Sequence, residues 1–426
     1  MAKISIKPTK LVGEIDIPGS KSLGHRAIIA ASLSKGKSVI HHISMSDDIL
    51  ATLKCMQELG CSYEVKQNKG GFCDIEIWGR CKEVFDRRNF DAKESGSTLR
   101  FLIPIALAFG GKNIFSGSGR LKERPLDVYY DIFKQQGIDF TNEQGSLPLV
   151  TQGSLNSGDF FVQGNISSQF ISGLLFALPL LVGDSKLEVT GRYESKAYVE
   201  LTLATLQAFG INIEKTGEQS FYIPGGQTYE PTEYTVEGDF SQAAFWLSAG
   251  ILGQQITCNN LQKDSLQGDA IIMDLLLKMQ GKLKFQQKCI TACSSKTSGI
   301  KIDVSECPDL VPMLAALAAV SEGDTLIYNA ERLKLKESDR LAAITSELKK
   351  MGADIENSNN SLLIKGKKEL HGAVVNSWND HRIAMALAIV ATNAVGDVII
   401  EGAEAVEKSY PHFWQDFQML GGSINE

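Results

Sequence analysis

This chain contains no CxxC pair, no charge-rich linker, no low-complexity tract and no apolar run of membrane length. Its eight cysteines are scattered, with Cys289 and Cys293 the nearest couple, which argues against a disulfide framework and for reduced, structural thiols. The six histidines (His25, His41, His42, His371, His381 and His412) show no ligand spacing, so no metal site is expected. The longest apolar stretch, around residues 170–182, falls short of the roughly 20 residues that span a bilayer, so no membrane partner is expected. The opening MAKISIKPTK offers no apolar signal core, and a cytoplasmic chain is expected. A formal net charge of −7 argues against a general nucleic-acid binder while permitting a local basic cleft. GSKS at 19–22 lacks the GK[ST] of a nucleotide P-loop.

What the chain does have is a repeat. Twelve helix-like stretches fall into six pairs, and one member of each pair is amphipathic and stops at glycine: Gly60, Gly137, Gly210, Gly281, Gly352 and Gly421. The unit is therefore about 70 residues, longer than solenoid repeats, and points to a small βα module copied six times. The other member of each pair is apolar almost all round, as in RFLIPIALAFG from Arg100 and QFISGLLFALPLL from Gln169, and such a helix must be buried. Two strand-like runs follow each stop except the last, where only GSINE remains. The N-terminal strands, to about residue 19, are expected to complete that sixth unit. This gives an α/β protein of two three-unit domains, residues 1–19 plus 237–426 and residues 20–236, with hinges near 19 and 236.

The buried helices begin at PGSKSLGHR, ESGSTLR, NISSQF, GDFSQAA, CPDLVP and NDHR, where Ser, Asp and Asn are good N-caps. Most of the amphipathic ones, at SMSDD, LKERPLD, ESKAY, QGD, LKESDR and EKSYP, are expected to carry Lys or Arg in the first turn. That sign is wrong for a helix N-terminus, and cations grouped with exposed N–H groups suit an anion such as phosphate. Ser22 and Arg26 are four residues apart and share a direction. Arg120, Lys122 and Arg124 precede Pro125, which suits a first helical turn. Lys336, Glu337 and Arg340 fall within about one helical turn, Lys336 and Arg340 facing together and Glu337 elsewhere. A carboxylic acid among cations is ordinarily a salt bridge; the alternative is a proton donor to carbon. Ser167, Ser168 and Gln169 read either as a cap or as neutral donors to a ligand. Asp309 reads either as a cap or as a base, and Arg382 on a buried helix start needs an anionic partner. Lys408 stands at another helix start.

In this order, PGSKSLGHR, GSTLR, RLKERP, ISSQF, ESKAY, PDLVP, LKESDR, NDHR and KSYP resemble the motifs of the 5-enolpyruvylshikimate-3-phosphate synthase family, and the resemblance spans nearly the whole chain. It implies two inside-out α/β barrel domains, each of three βαβαββ units. It also implies transfer of enolpyruvyl from phosphoenolpyruvate to the 5-hydroxyl of shikimate 3-phosphate, a step towards chorismate and the aromatic amino acids, with no cofactor. By motif, Lys21, Ser22, Arg26, Ser167, Ser168, Gln169, Ser195, Tyr198, Asp309 and Lys336 would hold shikimate 3-phosphate. Lys21, Gly96, Arg124, Gln169, Arg340, Arg382 and Lys408 would surround phosphoenolpyruvate, and glyphosate is the expected inhibitor. Asp309 would be the base and Glu337 the acid, with Lys21 beside the reacting groups. A monomer is expected. Two positions depart from the pattern: Arg332, where asparagine is expected, and Phe101, where some members have proline.

Two other readings compete. An enolpyruvyl transferase acting on UDP-N-acetylglucosamine would carry a reactive cysteine in the loop before its RP-containing helix, but residues 112–123, KNIFSGSGRLKE, contain none. A non-catalytic clamp or RNA-end-processing protein on related repeats should have a broad basic surface, whereas this chain is acidic and confines its cations to short motifs.

Overall fold

In a computed structural model of the chain, residues 2–67, 71–79 and 87–425 are described. Twelve α-helices occur among them: α1 Lys21–Leu33, α2 Asp47–Gln57, α3 Gly96–Ala108, α4 Asp127–Gln136, α5 Ser168–Ala177, α6 Lys196–Ala208, α7 Phe240–Leu252, α8 Ile272–Lys278, α9 Val311–Ala318, α10 Arg340–Lys350, α11 His381–Ala391 and α12 Phe413–Met419. The odd-numbered helices are the apolar ones. All eleven residues of α11 and all eight of α9 are buried, and each fully buried aliphatic side chain contributes about 1.5–3 kcal/mol. The stop glycines work as backbone switches: Gly60, Gly137, Gly210, Gly352 and Gly421 have positive φ. At the fourth stop it is Gln280, not Gly281, that takes the left-handed conformation, at φ 69°.

Six four-stranded sheets accompany the six helix pairs. In the second, third, fifth and sixth, the strand before the apolar helix pairs in parallel with the strand after it, and in the first five a hairpin following the amphipathic helix completes the sheet. This is the βαβαββ order, and parallel pairing is possible because a helix makes the crossover. Close contacts divide the chain into two compact units, Met1–Gly19 with Glu237–Glu426, and Ser20–Val236. Each has its own apolar core.

The chain ends correct one expectation. Strand Lys3–Lys7 does complete the sixth sheet, antiparallel to both Ser423–Asn425 and Val398–Glu401. The second N-terminal strand does not join it. Gly13–Asp16 pairs in parallel with Gln255–Asn259 and is the first strand of the fourth unit, whose helix α7 follows only after residue 237. Strand Glu233–Thr235 likewise pairs with Lys37–Ile43 of the first unit. The physical reason is the parallel ladder: α1 and α7 each need a preceding strand, and the crossings at 19 and 236 make that strand come from a distant part of the sequence.

Among the described residues no helix is long and apolar enough to cross a membrane, and no group of three or more His, Cys, Asp or Glu could hold a metal ion. The seven described cysteines are free; Cys81 lies outside the described residues.

Candidate active site

In the unit Ser20–Val236 the polar groups gather at the starts of α1, α3, α5 and α6. Ser20, Ser95 and Ser167 cap α1, α3 and α5 with their hydroxyls, accepting from Leu23, Thr98 and Gln169 N–H. The cap reading of Ser167 is therefore observed directly. Ser168 is the first residue of α5 and is buried. Ser195 precedes α6 in the left-handed conformation, φ 54°, with no side-chain cap. A run of short contacts ties the first helices together: His25 Nδ1 lies 2.7 Å from Thr52 Oγ1, which lies 2.6 Å from Thr98 Oγ1. Burial, then Lys21 and Arg26, push the His25 imidazole well below its ordinary value, so it stays neutral there.

Lys21 donates to Asp48 at 2.7 Å. Arg26 is engaged with the protein: Nε donates to Thr202 Oγ1 at 2.8 Å, Nη1 to the Ser22 carbonyl at 2.7 Å and Nη2 to the Tyr198 carbonyl at 2.8 Å. Ser22, Arg26 and Tyr198 are thus brought together, with Arg26 holding the other two through their backbone. Phe101, the departure from the motif pattern, lies under this guanidinium, with Arg26 Cζ 5.2 Å from its ring centre.

Gln169 is fixed from both ends. Its carbonyl accepts from Arg100 Nη1 at 2.8 Å, and its amide nitrogen donates to Ser97 Oγ at 2.9 Å. Arg100 also donates to the Pro125 carbonyl at 3.3 Å and packs over Phe170. Gly173 permits this close approach, since a Cβ there would lie 2.5 Å from the Arg100 carbonyl oxygen. Arg124 lies directly on Gly96, where a Cβ would be 2.7 Å from Arg124 Nη1. Among the described residues its buried Nε has no hydrogen-bond partner. Arg120 and Lys122 lie in the 3₁₀ turn Gly119–Glu123, and Pro125 comes two residues before α4, so this motif precedes the helix instead of opening it.

The other unit gathers acids and bases at one point. Asp309 lies in the short turn Pro308–Leu310 and does not cap α9. Its Oδ1 accepts from Lys336 Nζ at 3.1 Å and Arg340 Nη1 at 2.8 Å, and its Oδ2 from Arg382 Nη2 at 3.1 Å. Burial alone would raise this carboxyl, but Arg382, Lys336 and Arg340 hold it well below the usual carboxylate range. Burial lowers the Lys336 ammonium against the pull of Asp309. Asp380, fully buried, caps α11 and accepts from Arg340 Nε at 2.8 Å and from Ser338 Oγ at 2.9 Å.

Here the helical reading of LKESDR fails. Lys336 is extended after the turn Glu331–Leu335, and α10 begins only at Arg340, capped by Asp339. Glu337 does not point elsewhere: its Oε2 accepts from Arg340 Nη2 at 2.7 Å. The segment cannot continue as helix to Lys336 because Asp339 takes the cap position. Cations in the first turn are likewise rarer than the sequence suggests. Lys196 and Arg340 occupy one, α2 and α4 open with aspartates, and Lys408 closes the turn Ala403–Lys408, donating to the Asn379 carbonyl at 2.7 Å. Arg332 donates to the Ser305 carbonyl at 2.7 Å.

Four participants escape the sequence reading: Asp48, Arg100, Ser97 and Asp269. Asp269, buried beside Ser241, is pushed up to about 7, chiefly by burial and then by Asp309. Arg100 could have been found, because an arginine in an otherwise apolar buried helix is the same signal that singled out Arg382.

Cations and hydroxyls such as those of the one unit suit small anionic substrates, and a positioned pair of acids such as that of the other suits proton transfer. The comparisons agree in kind. The family EPSP synthase (3-phosphoshikimate 1-carboxyvinyltransferase) matches residues 6–417. The 3-phosphoshikimate 1-carboxyvinyltransferase of Clostridium kluyveri is 52% identical over 426 residues, covering 100% of this chain and 99% of that protein. That of Clostridium novyi is 51% identical over 430 residues, with coverage of 100% and 99%. Among solved structures, an EPSP synthase from Acinetobacter baumannii superposes with a TM-score of 0.81 at 24% identity, covering 100% of both chains. The enolpyruvyl transferase NikO from Streptomyces tendae gives 0.79 at 17%, covering 99% of this chain and 98% of that one. These two show the fold, that of two inside-out α/β domains. With half its residues shared along its full length and the family match nearly end to end, this chain belongs to the EPSP synthase family.

Proposed function

We propose that the chain transfers the enolpyruvyl group of phosphoenolpyruvate to the 5-hydroxyl of shikimate 3-phosphate and releases phosphate. The observation that carries this reading is the Asp309 cluster, one carboxylate held by Lys336, Arg340 and Arg382 with a second acid, Glu337, on the same arginine. Protonating the vinyl methylene makes the neighbouring carbon cation-like, the alcohol loses its proton and adds to give a tetrahedral phosphate ketal, and loss of phosphate together with a proton from the new methyl group restores the enol ether. Glu337 is the proton donor to carbon and Asp309 the base for the hydroxyl. Lys21, Ser22, Arg26, Ser167, Ser168, Gln169, Ser195, Tyr198, Asp309 and Lys336 hold shikimate 3-phosphate. Lys21, Gln169, Arg124, Arg340, Arg382 and Lys408 surround phosphoenolpyruvate beside Gly96. Orientation of two bound anions supplies much of the rate.

Glyphosate should compete with phosphoenolpyruvate, and the missing side chain of Gly96 is the local reason, because it is what lets Arg124 lie where it does. The enzyme is read as a cytoplasmic monomer. A phosphate-release assay with phosphoenolpyruvate and each of two acceptors tests the assignment. Release is expected with shikimate 3-phosphate and not with UDP-N-acetylglucosamine; the reverse outcome would overturn it.

A further inference from the structure

Arg340 is 1% exposed and has every nitrogen engaged by a carboxylate: Nε by Asp380, Nη1 by Asp309 and Nη2 by Glu337. Four of its five N–H groups are taken, since Nη2 also reaches Asp380 at 3.4 Å, so a further carboxylate can be held by two parallel hydrogen bonds only where it replaces one already there. The three present carboxylates are not equally replaceable. Asp380 is 0% exposed and also caps α11, so removing it would undo a helix start. Asp309 is bound to three cations at once. Glu337 is 19% exposed and reaches Arg340 from the irregular segment between the turn Glu331–Leu335 and α10. It is the one that can swing away without disturbing a helix.

We propose that Glu337 occupies on Arg340 the place that the carboxylate of phosphoenolpyruvate takes, so that substrate binding exchanges one carboxylate for another and releases the acid that the reaction needs. This rests on the reading that Arg340 faces phosphoenolpyruvate. The exchange keeps the buried cluster neutral, which avoids the penalty of leaving a desolvated charge unmatched. It also resolves a conflict in the ligand-free geometry: a carboxylate paired with an arginine at 2.7 Å is an acceptor, whereas a proton donor to carbon has to be free of that partner. Lys336 also acts on Glu337, and as a point charge it does not fix the carboxylate's orientation as the guanidinium does.

The consequence has an unusual sign. A residue needed for turnover should oppose substrate binding. The probe is L-phospholactate, which carries the same carboxylate and phosphate but no vinyl group, titrated calorimetrically into protein saturated with shikimate 3-phosphate. Glu337→Gln and Glu337→Ala should each bind it about tenfold more tightly than the wild type, equivalent to about 1.4 kcal/mol, while their turnover falls. Thermal melting of both variants checks that they are folded. Equal or weaker binding by the folded variants would overturn the exchange. The two readings fail separately, since a wild-type protein that releases no phosphate with both substrates refutes the proposed reaction whatever the variants bind.

Discussion

The two polar clusters grow from the same repeated unit, yet they manage charge in opposite ways. At the helix starts of Ser20–Val236, Arg26 and Arg100 are held by hydroxyls, carbonyls and the Gln169 amide, while Lys21 donates to the carboxylate of Asp48. In the other unit, Lys336, Arg340 and Arg382 meet Asp309, Glu337 and Asp380, three against three. In the first arrangement Arg26 and Arg100 meet neutral acceptors, which an anion can join without displacing a carboxylate from those contacts. The second is already neutral, so an anion enters it only by competing. Cations on neutral acceptors bind substrate; a matched set of acids and bases moves protons. We read the chain as dividing its labour along that line.

The sharpest way to break this comparison is to neutralise the acids. Asp309→Asn and Glu337→Gln keep side-chain size and should each lower kcat by about 10²–10⁴-fold, the range that general acid–base groups supply. Steady-state assays decide it, and near-normal turnover in either variant removes that residue from its role.

Next comes the cation-rich cluster. Arg100→Met removes the donor that orients Gln169 and anchors Pro125, and hydrogen bonds to a charged group carry about 1.5–3 kcal/mol. The KM for phosphoenolpyruvate should rise about ten- to hundredfold while kcat changes less. A fall confined to kcat would place Arg100 with the proton-moving groups instead.

A smaller change in the same cluster is Gly96→Ala, whose methyl would stand 2.7 Å from Arg124 Nη1. It should weaken glyphosate inhibition about tenfold, as one misplaced methyl can, and shikimate 3-phosphate binding less. Equal inhibition of both forms would show that Gly96 does not line that pocket.

The smallest effect is expected from a surface reference, His41 between Asp74 and Glu233. Burial is the largest single influence and lowers this imidazole, but the hydrogen bonds and charges of Asp74 and Glu233 together outweigh it and leave it above its ordinary value. Its contribution to stability is therefore fully present below about pH 6.5 and is lost as pH rises through the raised value. Melting curves of Glu233→Gln and wild type should differ slightly at pH 5.5 and coincide at pH 8.5. A gap that widens towards high pH would reverse that assignment.

The sequence and the structure agree most where the signal is local. Apolar periodicity, Ser and Asp caps and stop glycines all act within a few residues, so the twelve helices and most of their starts could be read directly. Gly281 shows the limit of that reading, because Gln280 supplies the left-handed turn there. What could not be read is pairing across the chain. Gly13–Asp16 finds its partner at Gln255–Asn259, and nothing near residue 13 announces it. The site behaves the same way. Glu337 is legible as an acid among cations, but its contact with Arg340 depends on where α10 begins, which is one turn later than the motif suggests. Asp48 and Asp269 join the site through Lys21 and Asp309, which lie 27 and 40 positions away in the chain.

The division of labour between the two clusters is tested most directly on Asp309→Asn. Calorimetry would give its affinity for shikimate 3-phosphate, and a single-turnover experiment on the same folded preparation would give its rate of enolpyruvyl transfer. We predict an affinity within about threefold of wild type and a rate at least about a hundredfold lower, since a proton-moving group acts on the transition state more than on the bound substrate. A loss of affinity as large as the loss of rate would contradict the account, because Asp309 would then be part of what holds the substrate.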